Sequence, residues 1–132
     1  MKSIKIHLLT LALVIGSMSV IPAYANKANL ASATIPNGYT SAWYPTSNPY
    51  GYSILKGTTV KLHFVLSSSE TNVYYGLEDG YDSSDKTQFA QFGGTSSSSA
   101  SMSMETGGTY KPYVTNYTAG SITVKDSSYI EF

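Results

Sequence analysis

Few side chains in this sequence are equipped for bond-making chemistry. The 132 residues include no cysteine, which excludes a thiol nucleophile, a disulfide scaffold and any Cys-ligated metal centre. His63 is one of two histidines, and the other, His7, falls in a leader-like segment. A histidine base needs an oriented partner and a nucleophile, and neither a Ser-x-x-Lys nor a Gly-x-Ser-x-Gly pattern accompanies His63. No catalytic residue is therefore expected, and the chain reads as a non-enzyme. The most site-like polar stretch is Glu78-Asp79-Gly80-Tyr81-Asp82-Ser83-Ser84-Asp85. Its carboxylates, Glu78, Asp79, Asp82 and Asp85, offer the hard oxygen ligands that Ca²⁺ takes. Their spacing departs from the EF-hand loop, and Asp, Gly and Ser are also the ordinary formers of a solvated hairpin end. Calcium is the one cofactor these residues suggest; otherwise none is expected.

The aromatic residues say more. There are 12 tyrosines and one tryptophan, and such rings present rigid flat area with a polar handle, suited to sugar faces and protein partners. Trp43, Tyr44, Tyr50 and Tyr52 cluster in a turn-rich opening segment and form the candidate ligand-binding set. Tyr74, Tyr113, Tyr117 and Tyr129 fall on strand faces opposite the main apolar stripe. Tyr75 and Tyr110 are expected to point inward.

Composition narrows the partners. Only 12% of residues are charged and none is Arg, so a dedicated nucleic-acid surface is not expected. Residues 1–25 have the order of a secretory signal peptide: Lys2 and Lys5, a short apolar run from Leu8 to Gly16, then Pro22 and the small-x-small site Ala23-Tyr24-Ala25. The apolar stretch is shorter than the roughly 20 residues of a bilayer span. Removing 25 of 132 residues leaves 107, with six of the eight lysines against eight acids, a net charge of −2. The expected product is secreted, with no transmembrane span after cleavage.

The elements that must position these residues are short strands. Residues 26–34 read as a flexible lead-in and 35–132 as one domain. Val60, Leu62, Phe64 and Leu66 alternate with Thr59, Lys61, His63 and Val65, a period of two with one apolar face. Val73, Tyr75 and Leu77 repeat the pattern before Asp79-Gly80, a hairpin signal. Tyr81 to Lys86 reads as loop, Gln88 to Phe92 as a short strand, and Ser98 to Glu105 as a strand alternating Ala100, Met102 and Met104 with serines. Three strands close the chain: Thr109–Tyr117, Ser121–Lys125 and Ser128–Phe132. No apolar period of 3.6 runs through residues 26–132. The expected fold is all-β, a small antiparallel β-sandwich of seven or eight short strands. The closing stretch Gly108-Thr109-Tyr110-Lys111-Pro112-Tyr113-Val114-Thr115-Asn116, followed by Ile122-Thr123-Val124, resembles the final hairpin of immunoglobulin-like modules and the tails of small exported β-sandwich proteins of Gram-positive bacteria. Pro112 departs from a central-strand pattern, since it donates no ladder hydrogen bond.

These readings converge on a secreted binding module that recognises a glycan or cell-envelope component through Tyr and Trp. The alternatives are a self-assembling extracellular structural protein, with low charge and a C-terminal edge strand that could pair between chains, and a small antimicrobial or toxin-like effector. The latter draws on the resemblance of Thr95–Thr106 to amphipathic pore-forming hairpins. Asn116-Tyr117-Thr118 matches a glycosylation sequon.

Overall fold

The structure, a computed structural model, describes residues 24–132. The expected leader falls outside the described residues except for Tyr24 and Ala25. Among the described residues there is no helix, and none long and apolar enough to cross a membrane. Eleven strands follow in chain order: β1 (Lys27–Asn29), β2 (Ala33–Ile35), β3 (Thr40–Ala42), β4 (Tyr52–Ile54), β5 (Thr59–Glu70), β6 (Val73–Asp79), β7 (Asp82–Gln91), β8 (Thr95–Ser103), β9 (Gly108–Asn116), β10 (Ile122–Val124) and β11 (Tyr129–Glu131).

All pairings are antiparallel and they build two sheets. In sheet I, β8 lies along one edge of β5; β11 and β10 share the other edge end to end, and β1 and β2 pair with them in turn. In sheet II, β9 pairs with β6 on one side and with β3 and β4, again end to end, on the other; β7 closes the edge beyond β6. The eleven segments thus occupy eight rows, because three rows are broken in two.

The alternation seen in the sequence decides which face of each strand is buried. Val60, Leu62, Phe64 and Leu66 of β5 face Val73, Tyr75 and Leu77 of β6 across the interior, all fully buried. Aromatic rings run through the space between the sheets: Trp43–Phe64 at 5.6 Å, Phe64–Tyr75 at 5.2 Å and Tyr75–Phe92 at 5.7 Å between centroids. Such tilted and edge-on arrangements are the favoured aromatic geometry. The Tyr75 hydroxyl meets Ser98 Oγ of the opposite sheet at 2.7 Å, so the one polar atom of this ring is satisfied inside.

Three expectations need correction. The lead-in is not without structure: β1 pairs with β11, β2 pairs with β10, and Leu30 between them is buried in the core. Asn26 and Phe132 also exchange backbone hydrogen bonds of 2.8 and 2.9 Å. The folded unit therefore starts before residue 35. Second, Tyr81–Lys86 is not a loop throughout, since Asp82–Lys86 belong to β7, held by pairing with Glu78 and Asp79 rather than by their own propensities. Third, β9 is a central strand in spite of Pro112. The proline stands at the break between β3 and β4, which pair with Tyr113–Thr115 and Gly108–Tyr110, so the row beside it has a gap where a donor is missing.

Candidate functional site

The outward-facing positions of β6 and β9 bring several tyrosines together. In register, Tyr74 lies opposite Thr115, Gly76 opposite Tyr113 and Glu78 opposite Lys111. Tyr117, just past the end of β9, meets Tyr74 edge to face at 5.6 Å and is 60% exposed. Tyr74, Tyr113 and Tyr117, with Lys86, Gln88 and Thr115, line a shallow trough of about 270 Å³. Tyr113 forms its floor; burial, then Glu78 and Tyr117, push its hydroxyl pKa above the ordinary phenol value. That hydroxyl stays protonated and able to donate under any ordinary condition.

Local sequence explains how the trough is held. Gly76 has no side chain, and a Cβ there would sit 2.0 Å from the carbonyl oxygen of Thr87. Only glycine lets β7 close over this point, where the register shifts between Tyr75 and Gly76. The shift brings Gln88 opposite Gly76 and Lys86 opposite Glu78. Glu78 is buried, with the Lys86 ammonium 3.5 Å from its carboxylate and 5.5 Å from the Tyr113 ring. The trough wall is thus charge-compensated rather than strongly signed. At its other end, Asn116 is fully buried and anchors the turn that carries Tyr117. Its Nδ2 donates to the carbonyls of Ile35 and Gly120 at 2.8 Å each, and its Oδ1 accepts from the backbone N–H and hydroxyl of Thr118 at 2.8 and 2.7 Å. The same burial removes the sequon reading, because the acceptor nitrogen is committed inside the fold.

The opening aromatic set is divided. Trp43 is buried, with its indole N–H donating to the carbonyl of Ala31 at 2.7 Å, and Tyr52 is buried against Phe132. Neither offers a face to a ligand; both complete the core that the short β3 and β4 leave open. Tyr44 and Tyr50 are about half exposed. Tyr44 lies under the Lys111 ammonium, 5.3 Å from the ring centroid, which places it at the edge of the same outer face. Tyr50 stacks on Tyr81 at 4.5 Å and 19° at the β6–β7 turn. That stack depends on Gly80, where a Cβ would meet the Tyr50 carbonyl oxygen at 1.7 Å.

The acidic residues do not converge. Among the described residues no three His, Asp or Glu side chains are placed to hold one metal ion. Glu78 is paired with Lys86, Asp79 accepts from the backbone N–H of Tyr81 at 2.8 Å, and Asp82 accepts from both the N–H and hydroxyl of Ser84. These carboxylates hold turns and strand ends, so the calcium reading is withdrawn. Asp79 and Asp85 instead help line a cleft of about 640 Å³ between β7 and β8, floored by Met102, Met104 and Tyr110. His63 lies on the outer face of sheet I, sharing a 2.5 Å hydrogen bond with Ser99 and stacking on Tyr129 at 4.9 Å.

No protein-family model matches the chain, and no curated protein matches it in sequence. The trough residues Tyr74, Tyr113 and Tyr117 were legible as outward-facing from the period of two. What the sequence could not signal was their convergence with Gln88 and Thr115, which needs the β6–β7 and β6–β9 registers.

Proposed function

We propose that the chain is an exported, non-enzymatic binding module with an immunoglobulin-like sandwich, and that it holds a neutral glycan of the cell envelope or extracellular matrix on the outer face of sheet II. The observation that carries this reading is the trough of Tyr74, Tyr113 and Tyr117 with Gln88 and Thr115 beside it. Flat rings suit the apolar faces of pyranose sugars, and amide and hydroxyl groups at their margin suit the equatorial hydroxyls. The compensated Lys86–Glu78 pair favours an uncharged polymer over a polyanion. From Tyr117 to Lys111 the face runs six residues of β9, roughly 20 Å at about 3.4 Å per residue, long enough for several sugar units. The signal-peptide pattern of residues 1–25 and the low charge support an extracellular setting.

Retention on insoluble cell wall, chitin and cellulose tests the proposal, comparing the wild-type protein with Tyr74→Ala/Tyr117→Ala. Each exposed aromatic contact contributes about 1 kcal/mol, so the double variant should bind roughly 10–30-fold more weakly. Equal retention of the two proteins, or no retention of either, overturns the reading. Trp43→Ala is not a fair probe, because it removes a core side chain.

A further inference from the structure

The sandwich has four outer rows, and three of them are guarded. Natural sheets protect an edge with shortness, charge, proline or a bulge. β1 and β2 are three residues each, as are β3 and β4, with Pro45 and Pro49 in the loop between the latter two. β7 is long, but its register shifts twice and it carries Asp82, Asp85 and Lys86. β8 has none of these devices. It is nine residues long, reads Thr-Ser-Ser-Ser-Ser-Ala-Ser-Met-Ser, and contains no charge and no proline. From Ser97 to Ser103 it pairs with Val65 to Thr59 of β5 residue for residue, with an irregularity only where Thr95 meets Glu70. Among the described residues no strand pairs with its other edge.

We propose that β8 is the assembly edge of this protein, and that it pairs antiparallel with β8 of a second copy to run sheet I continuously through a twofold dimer. Three features select this occupant. An isologous antiparallel pair of one strand with itself matches donor rows to acceptor rows, and the serine side chains at Ser97, Ser99, Ser101 and Ser103 are small, uncharged and able to bond each other. The charge distribution fixes the direction. A single carboxylate, Glu70 of β5, stands opposite Thr95 at the start of β8, whereas its other end is more acidic: Glu105 follows it and Asp79 and Asp85 line the same cleft. Antiparallel pairing lays the partner's Thr95–Ser98 end, with its one neighbouring carboxylate, against that acidic end and separates the two acidic clusters by about 30 Å, well beyond the Debye length. Parallel pairing would bring them together. Finally, half-buried Met102 at the mouth of the cleft is left beside the open edge, and an added strand covers it. Because the pairing consumes the only unguarded edge among the described residues of each copy, assembly closes at two rather than growing into a fibre.

Sedimentation of the purified protein from about 1 µM to about 500 µM should show a reversible monomer–dimer equilibrium. Ser97→Lys/Ser103→Lys places charge on the edge opposite Val65 and Thr59, with circular dichroism confirming the unchanged fold. It should weaken dimerisation at least about tenfold. The absence of native cysteine gives an independent readout: Ser99→Cys, at the centre of β8, should form a disulfide-linked dimer on mild oxidation, while Ser53→Cys on the exposed short strand β4 should not. A protein that stays monomeric throughout, a dimer indifferent to the two lysines, equal cross-linking at both cysteines, or growth past two copies each overturns the proposal.

Discussion

The two outer faces of the sandwich are built on the same alternation, yet they offer a partner different things. On sheet II the ring of Tyr117 stands in the open and that of Tyr74 is half-buried beside it, around the buried floor of Tyr113. Among the strand residues of sheet I the one outward-facing tyrosine, Tyr129, is already occupied. The Lys27 ammonium lies 4.1 Å and that of Lys61 5.7 Å from its centroid, and the His63 imidazole stacks beside it. The remaining outward positions of β8 are serines. A ring whose faces are covered by cations and an imidazole has no flat area left to give. What marks a binding face is therefore not the number of aromatic residues but what lies over each of them.

The most damaging way to break the contrast is Gly76→Ala. The added Cβ meets three backbone atoms of β7, with Gln88 Cα and Phe89 N at 2.9 Å besides the Thr87 carbonyl, so β7 must move away. A loss of about 3 kcal/mol is expected, lowering Tm by roughly 10–20 °C in thermal unfolding. The same change of side chain on the serine face, Ser97→Ala, should cost less than about 0.5 kcal/mol. Next comes Asn116→Ala, which strips the buried carbonyl of Ile35 and the N–H of Thr118 of their partners and leaves the Gly120 carbonyl with the Thr118 hydroxyl alone. About 2 kcal/mol of stability should be lost in urea titrations, and polysaccharide retention should fall as the turn bearing Tyr117 loosens. Lys27→Gln sharpens the comparison from the other side: freeing one face of Tyr129 should leave retention unchanged if sheet II alone binds.

The smallest effect is a pH slope. Burial first, then Lys61 and Lys27, lower the pKa of His63 below its ordinary value. The unfolded chain, with His63 near about 6.5, then binds more protons than the folded one as the pH drops, so stability falls on acidification through that window and is regained above it. Urea midpoints measured from about pH 5 to about pH 8 should show this slope. His63→Gln should flatten it, and Lys61→Gln should raise the His63 titration seen by NMR.

Much of this molecule was legible in its residues. β5, β6 and β9 follow from an apolar period of two, and the outward tyrosines of β6 and β9 follow from the same period. The first half of β7 does not, since Asp82 to Thr87 are exposed and become strand only because β6 offers them a partner. Residues 26–34 carry one large apolar side chain, Leu30, and a lone residue has no period; its burial depends on β10 and β11, nearly a hundred positions away. The fate of Trp43 and Tyr52 depended on the path of the loop between β3 and β4. That path is set by close backbone approaches, at Gly51 to the Tyr110 carbonyl and at Gly80 to that of Tyr50, which no local pattern encodes.

The chain's sole indole, Trp43, is tucked against Phe64 with its N–H held by the Ala31 carbonyl, close to where the amino-terminal strands join the sandwich. Its emission is therefore a built-in optical gauge of that joint. A red shift that precedes loss of the far-ultraviolet signal would mean that the first rows peel away before the rest of the barrier to unfolding is crossed.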